Sequence, residues 1–140
     1  MEKQRIARLI RAALLAGAAV MALAALLLRL LPTGPDASTA EGRRRFLSEL
    51  GWEIEPGSEQ RKSVLIPDCS SGVMADYNAL QRRQGFDLTP YAGLPVTVVT
   101  YALQEAPDEL VTLWVCNGVV IAGDVHTAAS DGWMKGIIEE

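Results

Sequence analysis

Hydrophobic and polar positions follow three rhythms along this chain, and each predicts a different element. The first is unbroken: Ala12 to Leu28 carry no charged or polar side chain, with Lys3, Arg5, Arg8 and Arg11 before them and Arg29 after. At about 1.5 Å per helical residue, Arg11 and Arg29 stand roughly 26 Å apart, so both reach the interfaces of a hydrocarbon layer about 30 Å thick. A transmembrane helix is predicted there.

The second rhythm is helical. Ser38 and Glu41 have capping-box spacing, Phe46, Leu47 and Leu50 share a face, and Gly51 stands where a left-handed stop is wanted, which predicts a helix over 39–50. Ser70 or Ser71 caps a second helix on which Val73, Tyr77, Leu80 and Gln84 recur. Arg82 and Arg83 suit the negative end of its dipole, Gly85 terminates it, and Phe86 folds back on its last turn.

The third rhythm has period two. Trp52-Glu53-Ile54-Glu55 alternates until Pro56-Gly57, and a short strand is predicted at Ser63 to Ile66. After a loop from Asp87 to Pro95, three β-branched and aromatic stretches follow at Val96–Leu103, Leu110–Cys116 and Val119–Val125. Asn117-Gly118 closes the last two as a two-residue hairpin, with Trp114 facing Ile121 and Val115 facing Val120. The fold class is therefore α+β: an amino-terminal transmembrane helix, then a small domain with a three- to five-stranded antiparallel sheet packed by two helices.

Residues 1–31 form a basic tail and anchor, 32–40 a Pro- and Gly-bearing linker, and 41–140 one domain large enough for its own core. Ala22-Leu23-Ala24 and Ser38-Thr39-Ala40 have the small-x-small pattern of signal peptidase sites. The first would bisect the apolar run and the second lies far beyond it, so a retained anchor is the reading. Basic residues abutting the span hold the amino terminus in the cytoplasm and put the domain outside, against the weaker pull of Arg43, Arg44 and Arg45. Small residues four apart, Ala13 with Gly17 and Ala18 with Ala22, offer a face for weak self-association in the bilayer.

Charge divides at the membrane. Residues 1–31 hold five basic and one acidic side chain, leaving eight basic and 16 acidic beyond, a net charge of −8. Nucleic acid is excluded as a partner, because phosphate neutralisation supplies most of that affinity.

Reactive chemistry is sparse. His126 is the single histidine, so a hydrolytic arrangement must use it with Asp124 or Asp131, yet neighbouring Ser130 sits on no nucleophile elbow. One histidine and two distant cysteines provide no metal set and no cofactor is expected. Glu53 and Glu55 fit a solvated strand face better than a catalytic carboxylate pair. Cys69 and Cys116 admit a disulfide outside the cytoplasm, but their apolar and capping contexts predict free thiols. Arg43, Arg44 and Arg45 offer a basic contact to anionic headgroups or wall polymers, and Trp133-Met134 an apolar one.

Phe46-Leu47 through Gly51-Trp52-Glu53, Ile66-Pro67, Asp76-Tyr77-Asn78 with Leu80-Gln81, Gly85-Phe86-Asp87-Leu88 with Tyr91 and Gly93, Gly123-Asp124-Val125 and Asp131-Gly132-Trp133-Met134 line up with one pattern. Over roughly 46–136 the chain resembles an uncharacterised family of small membrane-anchored domains of unknown function from Gram-positive bacteria. The resemblance implies no activity. The family usually has acidic and aromatic residues where this chain has Cys69, Ser70 and Met74, which makes the Cys69 thiol peculiar to this sequence. The expected function is a membrane-tethered extracytoplasmic module that binds an envelope protein or wall component without catalysis. A hydrolase built on His126, and a structural subunit of a membrane complex, are the alternatives.

Overall fold

A computed structural model describes residues 1–30, 34–129 and 131–138. The chain divides into two units, Met1–Pro32 and Thr33–Glu140. The first is helix α1, Glu2–Leu30, of which Glu2–Leu28 is long and apolar enough to cross a membrane. None of that span is buried, and Leu14, Leu15 and Met21 are each about 70% exposed. The side chains of Arg29 and Leu30, and residues 31–33 at the join of the predicted anchor and linker, lie outside the described residues.

The second unit contains α2 (Ala40–Glu49), β1 (Gln60–Leu65), α3 (Gly72–Arg83), a 3-10 turn at Thr89–Tyr91, β2 (Pro95–Ala102), β3 (Glu109–Cys116), β4 (Val119–Thr127) and β5 (Met134–Gly136). The five strands pair antiparallel in chain order, with α3 inserted between β1 and β2. The α+β expectation, with five strands and two packing helices, holds. Asn117 and Gly118 take φ of 48° and 80°, the pair of positive values that a twist-matched two-residue hairpin requires. Val115 pairs with Val120 as expected, but Trp114 pairs with Ala122. A bulge at Trp114/Val115 leaves Ile121 as the extra residue, and a strict two-residue periodicity could not anticipate it.

Both helices stop as their glycines predict. The Trp52 amide bonds to the Leu47 carbonyl and the Gly51 amide to Ser48; Phe86 with Gln81 and Gly85 with Arg82 repeat the pattern. Both glycines sit near φ +89°, where a side chain would be strained. The start of α2 differs from expectation: Thr39 is the cap and accepts from the Gly42 amide, while Ser38 turns back to Asp36. Residues around Asp36, read from sequence as spacer, belong to the domain. Asp36 bridges Val119, the Ala37 amide donates to Gly118, and Ala37 is buried. Trp52–Glu55 narrows to one bridge between Ile54 and Leu103.

Strand alternation sends apolar residues to both sheet faces. Leu47 of α2 joins Val99, Val111, Leu113 and Val125 in one core. Ile66, Leu88, Val96, Cys116 and Ala122 form the other, with Met74 and Tyr77 of α3 packed against it. The predicted face of α3 is corrected at Val73, which is 83% exposed; Tyr77 packs as predicted, half-buried beside Met74, and the buried positions are Asn78 and Gln81. Both buried positions are polar because they serve the backbone. Asn78 accepts from the Leu88 amide, and Gln81 trades two hydrogen bonds with the main chain of Gly123 on β4.

Candidate functional site

Arg43 leads the basic triplet, yet its side chain is only 3% exposed. Its Nε donates to the Tyr101 hydroxyl at 2.8 Å, Nη1 to the Ala37 carbonyl at 2.9 Å, and Nη2 to both Glu59 oxygens at 3.0 Å. Tyr101 closes the ring by donating to Glu59 at 2.6 Å. Burial pushes the Glu59 carboxyl up, but bonds from Tyr101, Arg43 and Arg61 together hold it below its ordinary value. Arg43 therefore ties α2 to β2 and the start of β1. It offers nothing to a headgroup, which corrects the expectation of a three-arginine contact surface. A buried charge needs partners fixed by the fold, and sequence spacing does not reveal them. Arg44 pairs with Glu41 on the surface and Arg45 is exposed.

On the other face, β4 carries Asp124 and His126 two residues apart and on one side. The Asp124 side chain is 4% exposed; it accepts from the Tyr77 hydroxyl at 2.6 Å and lies 2.7 Å from His126 Nδ1. Burial raises the Asp124 carboxyl above its ordinary value despite these two bonds. The Tyr77 phenol is pushed well up by burial and then by the adjacent Asp124 charge. In the neutral tautomer that carries its proton on Nδ1, His126 has the Nε2 lone pair on a side chain 28% exposed. Such a nitrogen can accept a proton or a hydrogen bond. The structure brings Asp124 to His126 but gives Asp131 no bond to either, and Ser130 lies outside the described residues.

Cys69 and Cys116 are free and buried in the second core. Burial raises both thiols; for Cys69 the charges of Asp68 and Asp87 add to it, so neither is an activated nucleophile. Trp133 and Met134 are 43% and 50% exposed, and Met134 pairs with His126 across the β4–β5 ladder. The Lys135 ammonium lies 4.9 Å from the Trp52 ring centroid and 5.5 Å from that of Trp133. Among the described residues no three His, Cys, Asp or Glu side chains converge as a metal set.

Two grooves flank the segment 51–57. One, about 440 Å³, is lined by Trp52, Leu103 and Ala106 with Glu53, Glu105 and Glu109. The other, about 400 Å³, is lined by Glu41, Arg44, Glu53, Glu55, Glu59 and Tyr101 among others. Alternation of Trp52-Glu53-Ile54-Glu55 reads equally as a solvated strand. Glu105 and Glu109 are brought alongside only by the turn after β2, which is why sequence reasoning missed the grooves.

A five-stranded antiparallel meander with one helix on each face, a partly buried Asp–His pair and acidic surface grooves together define a small α+β domain. The chain belongs to the family described as Domain of unknown function (DUF4830), which it matches over residues 46–125. No curated protein and no solved structure matches it.

Proposed function

We propose that this chain is a single-pass, membrane-tethered module whose α+β domain binds an envelope protein or wall component outside the cytoplasm without catalysing a reaction. One observation carries the reading: an apolar helix long enough to span a bilayer, none of it buried, precedes a domain that has its own two cores. Exposed leucines on that scale favour hydrocarbon over water. The basic residues before the span favour a cytoplasmic amino terminus. The resemblance to membrane-anchored domains of Gram-positive bacteria supports the same setting. Crosslinking in living cells followed by affinity capture of the full chain is expected to recover a defined envelope protein or wall fragment. Repeated capture of neither contradicts the reading.

A second reading, a hydrolase that uses His126 as general base, is favoured by the 2.7 Å contact between Asp124 and His126. It requires His126→Ala to abolish hydrolysis of some ester, amide or glycoside substrate that the wild-type chain cleaves. An unchanged phenotype in that variant removes it.

A further inference from the structure

The grooves beside segment 51–57 combine an apolar floor with an acidic rim. In the larger one, Leu103 is buried and Trp52 and Ala106 are half-buried, whereas Glu53 and Glu105 are exposed and Glu109 is half-buried. Glu53 accepts one hydrogen bond from Ser48; Glu105 and Glu109 have no ion pair or side-chain hydrogen bond among the described residues. Glu53 also lines the second groove, where Glu55 is likewise unengaged and the Arg44 guanidinium is held by Glu41. The uncompensated charge of both grooves is therefore negative.

That layout selects its occupant. An anion is repelled, and an apolar group would strip water from carboxylates without replacing it. Arginine and lysine side chains have the complementary construction, an aliphatic stem ending in a cation. A stem laid on Trp52, Leu103 and Ala106 keeps its head at the glutamates. Each groove lies in the size range of side-chain and small-ligand sites. Because the two grooves share Glu53, one chain can fill both with successive basic residues.

We propose that these grooves are the docking site for an extended partner segment carrying at least two arginine or lysine residues. The proposal rests on the interaction reading above and names the chemistry of the partner. The test measures binding of a fluorescein-labelled hexapeptide of alternating arginine and alanine to the full chain in neutral-lipid nanodiscs. Glu105→Gln with Glu109→Gln removes two groove charges, and the matched Glu49→Gln with Asp76→Asn removes two charges elsewhere. The groove variant is expected to bind about tenfold more weakly, with the matched variant within about twofold of wild type and affinity falling as salt rises. Should the half-buried Glu109 prove necessary for folding, Glu105→Lys alone is expected to weaken binding in the same direction. Equal weakening by the groove and matched variants, or no saturable binding to wild type, overturns the proposal. If the groove variant still captures the wild-type partner from crosslinked cells, the grooves are wrong while the interaction reading stands.

Discussion

The amino-terminal helix and the domain are built largely from the same aliphatic residues and dispose of them in opposite ways. Leu9, Leu14, Leu15 and Val20 of α1 are about 70% exposed, while Leu47, Leu88, Val111 and Leu113 of the domain are essentially inaccessible. In the domain, strand alternation and two covering helices remove apolar surface from water. In α1 the apolar side chains stay exposed, which is the disposition that suits the lipid surroundings proposed above. The difference teaches that apolar content alone does not make a core. Each unit also has its own vulnerability: α1 to any charge in its span, the domain to loss of the polar ties between its layers.

The largest effect separating them comes from Leu14→Arg with Leu23→Arg, which opposes insertion by about 5 to 7 kcal/mol. The chain should leave the membrane fraction, while the melting temperature of its domain stays unchanged. Arg43→Met attacks the other unit. Removing one partner of a buried ion pair costs about 3 to 5 kcal/mol, and the lower end is expected because Glu59 keeps Arg61. Denaturant unfolding should show the loss with membrane retention intact. Tyr77→Phe takes a hydrogen bond from the buried Asp124 carboxylate, for a loss of about 1.5 to 3 kcal/mol, whereas Val73→Ala on the exposed side of α3 should change stability by less than about 0.5 kcal/mol. Equal effects of these two substitutions would show that the helix packs by a different face.

The smallest effect is pH-dependent. Because the Glu59 carboxyl is held below its ordinary 4.5, its contribution is fully present above that value and is lost as pH falls through the lowered one. Asp124 has the opposite sign: raised above 3.8, it favours the fold at low pH and loses that contribution as pH rises. Unfolding followed from about pH 6 to about pH 3 should show acid destabilisation that flattens in Arg43→Met.

Much of this architecture was legible in the sequence because local chemistry specified it. Gly51 and Gly85 announced both helix stops, Asn117-Gly118 the hairpin, and the run from Ala12 to Leu28 the long apolar helix. Reading failed where a residue's role depends on distant partners. Arg43 looks like one of three surface arginines until Ala37, Glu59 and Tyr101 close around it. Val73 looks like a core residue because periodicity counts hydrophobicity, whereas Asn78 and Gln81 are buried to satisfy main-chain groups of Leu88 and Gly123. Of the candidate site, the proximity of Asp124 and His126 followed from strand spacing. The Tyr77 bond that crosses from α3 did not, and neither did the union of Glu53 with Glu105 and Glu109.

The claim that this is a tethered domain facing away from the cytoplasm is tested most directly by a topology reporter fused after Glu140, read together with the intact mass of the membrane-bound chain. The account predicts reporter activity only outside the cytoplasm, on a chain that keeps its amino-terminal residues and resists carbonate washing. A reporter active in the cytoplasm, or a soluble product beginning near Ala25 or Glu41, would contradict it.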